Sequence, residues 1–264
     1  MKMRYFIFSL VCSMVVMTAM DSCGKKSTAT DAPQGDSIDS VAAAPKGVEI
    51  AYDTTDATAF GLRGLVKQVI TTHYEATSNG SSLVCGKRVE GYNDSIITFN
   101  EHGLVTVDAY ANPYTYDEND KFVKGRAKNT EMKRDDNGHI ISYIHQDKTE
   151  QGHWNSYSYV FEYDELNRMK EYTYTGWEEI FGHKFIYGND DDLWPVKEEM
   201  KGQACADLFQ SEILYRYLKF DDEGNWIERE VWQVDKQGVD DGSDAPEMES
   251  SNAYYIEKRQ ITYY

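Results

Sequence analysis

The sequence predicts an all-β protein: an extended, twisted antiparallel meander of repeated β-hairpins, able to curl into an open barrel or shell. Three observations carry that prediction. A seven-residue phrase (aromatic, Asp-like, two free positions, Gly-like, one free position, apolar) recurs six times, at 99–105, 116–122, 134–140, 163–169, 187–193 and 220–226. Several stretches between its copies alternate apolar and polar residues with the period of two that belongs to strands. The chain also holds 20 tyrosines, 10 phenylalanines and five tryptophans against only five prolines, which suits pleated, half-buried surfaces.

Each phrase reads as a hairpin turn. Asn100, Asp117, Asp135, Asp164 and Asp221 can accept hydrogen bonds from amides two or three residues on, and Gly103, Gly138 and Gly224, with Asp120, Asn167 and Asp191, stand where positive φ is wanted. The aromatic closes one strand and the apolar residue opens the next, which sets the antiparallel register. One copy opens on Arg134 instead of an aromatic. The short intervals between copies fit one hairpin plus a return turn, and the long ones need an insertion or an extra strand pair.

Ahead of the repeats, Lys2 and Arg4 precede an apolar run over 5–20. The run is too short for a membrane span of ~20 residues and is laid out like the n- and h-regions of a secretory signal. Cys23 follows at once. Residues 1–22 resemble a bacterial lipoprotein signal peptide, in which the cysteine is acylated and becomes the mature amino terminus. Ser22 fits the small residue before the cleavage point, whereas Met20 and Asp21 depart from the usual pattern. Residues 23–53 read as a lipid-anchored flexible linker of Ser, Thr, Ala, Asp, Pro and Gly with no aromatic before Tyr52, too poor in apolar surface to offset its conformational entropy.

Residues 54–264 form a single β-hairpin repeat domain by length, large enough for a sizeable core. Strands are expected over 65–74, 157–163, 169–174 and 226–232, where the alternation is clearest. The stretch 203–214 shows a partial helical face through Ala204, Leu208, Ile213 and Leu214, and is expected to be a loop or short helix.

The dipeptides Tyr116-Asp117 and Tyr163-Asp164, with the longer 220–226 phrase, resemble the YD-repeat, rearrangement-hotspot-like proteins. The opening at 61–69 and the ending at 257–264 look like the edges of small secreted lipoproteins of Bacteroidetes type built from such repeats. The resemblance spans most of 60–264. It implies the strongly twisted sheet and no shared catalytic residues. The larger relatives enclose a carboxy-terminal toxin, for which a domain of about 210 residues offers no room.

A formal net charge of −18 repels phosphate backbones, so nucleic acid is not an expected partner. Much of the acid sits in the turn phrases and in 235–244, where turn chemistry and solubility account for it. The acidic runs at 190–192 and 221–223 lack the ligand spacing of a calcium loop. His73, His102, His139, His145, His153 and His183 are scattered without zinc spacing and read as solvated or turn residues; His139 and His145 share a sheet face if one strand carries both. No metal or cofactor is expected. Cys85 and Cys205 are a possible disulfide in an exported protein, although 120 positions separate them. No nucleophile elbow, phosphate loop or dinucleotide fingerprint occurs.

These features point to a non-catalytic lipoprotein of the cell envelope, a binding or structural module held at the membrane through its lipid anchor. Candidate ligand-binding aromatics are Tyr157, Tyr159, Tyr172, Tyr174, Trp226 and Trp232, grouped on faces by parity, with an envelope glycan or protein as partner and burial in the core as the competing reading. The alternative is a glycan-directed hydrolase using a cross-strand carboxylate pair drawn from Glu162, Glu171, Glu228 and Glu230. Gly24, Lys25 and Lys26 provide no acidic run of the kind resembling a surface-export signal, which favours the outer membrane with the domain on the periplasmic side.

Overall fold

The computed structural model describes residues 55–90, 93–109, 111–125, 129–148, 154–240 and 247–264. The signal peptide, Cys23, the linker and His153 lie outside the described residues. One short helix, α1 (Asp56–Ala59), precedes fifteen strands: β1 (Val66–Asn79), β2 (Ser82–Arg88), β3 (Ser95–Phe99), β4 (Val105–Val107), β5 (Thr115–Tyr116), β6 (Phe122–Lys124), β7 (Asn129–Arg134), β8 (Ile140–Lys148), β9 (Trp154–Tyr163), β10 (Met169–Gly176), β11 (Glu179–Ile186), β12 (Lys197–Ala204), β13 (Asp207–Phe220), β14 (Trp226–Val239) and β15 (Met248–Tyr263). All but β5 and β6 join one antiparallel sheet of 13 strands. From β7 to β15 each strand pairs with the next in sequence; β1 then lies beside β15, β3 and β4 follow beyond β1, and β2 also pairs with β1. The fold is the antiparallel meander expected from the sequence.

Five of the six phrases form the predicted turns, at the β3–β4, β5–β6, β7–β8, β9–β10 and β13–β14 hairpins. In each, the second residue's amide donates to the carbonyl of the sixth: Asn100 to Leu104 at 2.9 Å, Asp117 to Lys121 at 2.9 Å, Asp135 to His139 at 3.0 Å, Asp164 to Arg168 at 2.8 Å and Asp221 to Asn225 at 2.9 Å. The side-chain oxygen of that same residue accepts from the amide at position six, as between Asp135 Oδ1 and His139 N at 2.9 Å. The fifth residues Gly103, Asp120, Gly138, Asn167 and Gly224 have φ of 75°, 60°, 92°, 63° and 81°. At the mouth of every one of these hairpins the register shifts, so the phrase encodes a bulge as well as a turn.

The remaining phrase, at 187–193, behaves otherwise. Gly188 stands where the carboxylate belongs, and Asp191 is not among the residues of positive φ. Asn189 takes over the accepting role one position later, its Oδ1 receiving the Asp191 amide at 2.9 Å while Asp192 Oδ2 receives the Asn189 amide at 2.9 Å. The chain then runs on through Trp194 and Pro195 before β12. Residues 203–214 also depart from expectation: instead of a loop or short helix, they make the end of β12, a tight turn and the start of β13. Phe209, Ser211, Ile213, Tyr215 and Tyr217 are buried in strict alternation, a period of two that the spacing of Leu208, Ile213 and Leu214 had masked.

Because the strands meander, the phrase turns at 135–139, 164–168 and 221–225 gather with the 187–196 loop at one end of the sheet. That end is plugged. Thr55 caps α1, its Oγ1 accepting the Thr58 amide at 3.2 Å while Thr58 Oγ1 accepts the Thr55 amide at 3.0 Å. Ala57, Phe60 and Leu62 are buried, and Trp194 Nε1 donates to Gly61 O at 2.9 Å. A Cβ on Gly61, which has φ of 69°, would meet Trp194 at 2.9 Å, so both conformation and contact require glycine there.

The sheet's terminal strands β4 and β7 do not pair with each other. Residues 111–125, including the β5–β6 hairpin, occupy the seam: Tyr114 N donates to Thr106 O on β4 at 2.9 Å, and a Cβ on Gly125 would lie 3.0 Å from Thr130 on β7. Tyr114 also meets Tyr143 of β8 edge-on at 5.7 Å. The filled seam covers what would otherwise be two open sheet edges. Elsewhere the β1–β2 hairpin folds over the outer face, where Arg216 Nη1 donates to Ser81 O at 2.6 Å and Leu83 N to Glu230 Oε1 at 2.9 Å.

Candidate functional site

Alternate residues of β8 to β15 and β1 point to the inner face, which is filled by rings and by a belt of ionisable groups. His183 on β11 donates from Nδ1 to Glu198 Oε1 on β12 at 2.6 Å, and Tyr215 on β13 donates to Glu198 Oε2 at 2.7 Å. Glu257 on β15 accepts Arg229 Nε from β14 at 2.6 Å and lies 3.1 Å from His73 Nε2 on β1. The Arg229 guanidinium stacks over Tyr215 at 4.1 Å and joins the two clusters. Glu198, Arg229 and Glu257 are 0%, 1% and 1% exposed. Ser211 donates to Asp235 Oδ1 at 2.5 Å, Gln233 Nε2 to the same oxygen at 2.6 Å, and Tyr255 OH to Gln233 Oε1. Buried charges persist only when paired in this way.

Histidine–tyrosine stacks are the second feature. His183 lies on Tyr172 with centroids 4.3 Å apart, His145 on Tyr157 at 4.3 Å and His139 on Tyr163 at 4.3 Å. The expectation of solvated histidines is therefore corrected: His73, His139, His145 and His183 are buried, and His102 alone of the described histidines is exposed, 2.7 Å from Asp120. His139 and His145 both lie buried at or next to β8, each against its own tyrosine instead of against one another. Their inward phase is set by the strands, since His183 falls between Phe181 and Phe185 at a spacing of two.

The candidate aromatics divide. Tyr157, Tyr159, Tyr172 and Tyr174 form one inner ladder, with Tyr159 and Tyr174 centroids at 5.0 Å, and Trp226 is fully buried under the guanidinium groups of Arg229 at 4.4 Å and Arg259 at 3.6 Å. Trp232 lies on the outer face, edge-on to Tyr254 at 5.3 Å with Nε1 donating to Glu230 Oε2 at 3.3 Å. Parity placed Trp226 and Trp232 on one face; the register shifts beside 217–220 reverse the phase between them.

Of the four candidate carboxylates, Glu162 and Glu171 oppose each other across β9 and β10 on the outer face, with Lys170 3.7 Å from Glu162. Glu228 lies 2.8 Å from Lys219 and 3.8 Å from Lys258. Glu230 is buried beneath the β1–β2 hairpin and bound to Arg216 at 2.5 Å. The four are not gathered at one cleft. Sequence reasoning missed Glu198, Glu257 and Arg229 and read His183 as solvated, although these are the groups that do cluster; for Glu198 and Arg229 a charged residue between apolar neighbours two positions away was the available signal.

Cys85 on β2 and Cys205 in the β12–β13 turn are exposed free thiols. The Glu178 carboxylate beside Cys205, 3.4 Å from Sγ, pushes that thiol's pKa up. Among the described residues no three His, Cys, Asp or Glu side chains gather where they could hold a metal ion. A cavity of about 20 Å³ lies at the plugged end between Phe60, Asn167, Phe185 and Trp194, room for about one water molecule. The His183–Glu198 pair does not line it.

The fold and its interior thus define an all-β, antiparallel-meander protein with an ion-paired aromatic core. No protein-family model matches the chain, and no curated protein matches it.

Proposed function

We propose that this chain is a non-catalytic envelope lipoprotein, a binding or structural module built from YD-like hairpin repeats and held by a lipid on Cys23 at the outer membrane, with the domain on the periplasmic side. The observation that carries the non-catalytic reading is the use to which its reactive side chains are put. Glu198 and Glu257, the buried carboxylates nearest to histidines, each serve two neighbours within the core, and the cavity beside Phe60 and Trp194 is far smaller than the several hundred Å³ usual for a substrate pocket. Five phrase turns, four with an Asp acceptor and one with Asn100, and all with left-handed fifth residues, support the YD-repeat reading. The signal, Cys23 and the linker support the address.

Metabolic labelling with an alkyne palmitate in a bacterial host tests the anchor. Incorporation into the native chain, its loss in Cys23→Ala and sedimentation of the labelled chain with outer membranes are expected. An unlabelled native chain would remove the anchored reading.

A further inference from the structure

We propose that Asp235, toward the end of the inner face away from the plug, receives an alkylammonium group, an inference that rests on the binding-module reading above and gives it a ligand class. Six carboxylates are buried among the described residues: Asp56, Asp108, Glu198, Glu230, Asp235 and Glu257. Asp56, Glu198, Glu230 and Glu257 each meet an Arg or His nitrogen. Asp108 meets neither, but both its oxygens accept: Oδ1 from the Asn112 amide at 2.9 Å, and Oδ2 from Asn112 Nδ2 at 2.8 Å and the Tyr114 hydroxyl at 2.7 Å. Asp235 differs on both counts. Ser211 and Gln233, both neutral, donate to Oδ1 alone, at 2.5 Å and 2.6 Å. Oδ2 accepts no hydrogen bond among the described residues, and it keeps contact with water although Asp235 is only 7% exposed. A carboxylate so far withdrawn from water, with a free oxygen and no counter-charge, is stabilised by a cation brought to it.

Strand register supplies the surroundings. Asp235 pairs with Ser211 on β13 and Ser251 on β15; one step nearer the end Phe209, Gln237 and Glu249 lie in register, and then Asp207 opposite Val239. Paired residues share a face, so beyond Gln233 the inner phase of β13 to β15 carries three acids, Asp207, Asp235 and Glu249, and no base. Lys201 and Lys236 fall in the opposite phase, each paired with Gln210. His183, which shares the row of Asp235 through Met200 and Ser211, is already taken by Glu198 at 2.6 Å.

Coordination chemistry selects among cations. Calcium wants about six to eight oxygens, whereas Asp235 offers one, and among the described residues no three His, Cys, Asp or Glu side chains gather where they could hold a metal ion. An ammonium group asks for less: a charge-assisted bond to one carboxylate oxygen and apolar surface along its stem. Phe209 lies one step along on the neighbouring strand, and Met200 beyond Ser211. The small opening at Asp235 admits a thin, unbranched stem more readily than the planar fork of a guanidinium. Glu249, exposed, and Asp207, half-buried, add a negative field that draws a cation toward this end. A free aliphatic amine and a lysine side chain share this chemistry.

Isothermal titration calorimetry of the full chain in detergent, with cadaverine, its uncharged isostere 1,5-pentanediol, Nα-acetyl-lysine methylamide and calcium chloride, tests the proposal. Saturable binding of cadaverine or of the lysine derivative is expected, at least about tenfold tighter than pentanediol and weakened at least about tenfold by Asp235→Asn. Asp222→Asn, which removes an exposed acid in the turn at the plugged end, should leave it unchanged. Cadaverine binding alone marks a free amine as the ligand, and binding of the lysine derivative alone marks a lysine side chain. Asparagine keeps an acceptor for Ser211 and Gln233, so Asp235→Asn should melt no lower than the native chain; the pentanediol comparison needs only the native chain and stands even where the variant fails to fold. Equal losses in the two variants would overturn the proposal in favour of diffuse attraction to an acidic chain. So would pentanediol binding as tight as that of the amines, calcium binding that Asp235→Asn abolishes, or no binding of either amine. None of these outcomes touches the lipid anchor, which the palmitate experiment decides.

Discussion

Asp56 and Arg134 fasten the two ends of the sheet to each other. The Asp56 carboxylate accepts Arg134 Nη1 at 2.6 Å and Nη2 at 3.0 Å at the end of β7, and its Oδ2 also accepts the Val105 amide of β4 at 2.9 Å. Terminal strands that share no ladder are thereby joined through one side chain of a four-residue helix. Burial works against the Arg134 charge, and its hydrogen bonds to the Asp56 carboxylate outweigh that, holding the guanidinium pKa above its usual value.

Removing one partner should leave a buried charge exposed to no compensating group. Arg134→Met, which orphans the buried Asp56 carboxylate, is expected to cost about 3–5 kcal/mol, and Asp56→Ala somewhat less, because the orphaned Arg134 keeps part of its surface in water. Urea denaturation of the two single variants and the double variant measures the coupling. Strict additivity would mean that the clasp contributes nothing.

The inner belt gives a second prediction. Glu198→Ala strands His183 and Tyr215 together and should cost about 3–5 kcal/mol, whereas replacing Arg229 and Glu257 jointly by Met should cost much less than Arg229→Met alone. Chemical denaturation checks both. A double variant as unstable as the single one would show that packing, not pairing, decides there.

Alkaline pH should unfold the protein through its tyrosines. Burial raises the pKa of Tyr114, Tyr116, Tyr163 and Tyr174, with nearby Asp108 adding to it at Tyr114, Asp56 at Tyr116 and Tyr163, and the Glu179 hydrogen bond at Tyr174. Their folded pKa values lie above the unfolded value of about 10, so the stability they contribute is complete below that pH and is lost as pH rises past it. Each tyrosine that stays protonated while its unfolded counterpart ionises lowers stability by about 1.4 kcal/mol per pH unit. Denaturation midpoints between pH 8 and 11, followed with phenolate absorbance, should show ionisation and unfolding together. Full phenolate formation in a still-folded chain would contradict this.

Turn substitutions separate the five regular phrases from the one at 187–193. Gly224→Ala and Gly138→Ala place a Cβ on left-handed backbone and should cost about 1–2 kcal/mol each. Asn167→Gly relieves the same strain at φ of 63° and should be neutral or slightly stabilising. Asp191→Gly gains no such relief, because Asp191 has no positive φ. Thermal melting of the four variants tests the ordering.

The local parts of this fold were legible in the sequence and the distant parts were not. An Asp at position two and a Gly or Asn at position five act within seven residues, so the turns at 164–168 and 221–225 could be read from chemistry alone. The phrase at 187–193 failed where Gly188 removed the acceptor. Asp56 meets Arg134 across 78 positions, and Arg229 meets Glu257 only because β14 and β15 pair in a particular register; no local pattern specifies either. The Trp226–Trp232 error has the same origin, since a bulge changes phase without changing the alternation of letters.

The belt of His183, Glu198, Arg229 and Glu257 is core and not a binding site. Native-state hydrogen exchange of the β11 to β14 amides across a denaturant series tests it most directly. The account predicts that these amides exchange only through global unfolding, with the full denaturant dependence of the equilibrium transition. Exchange through a small, low-energy opening of β11 and β12 would contradict it and make the interior a site that a ligand can enter.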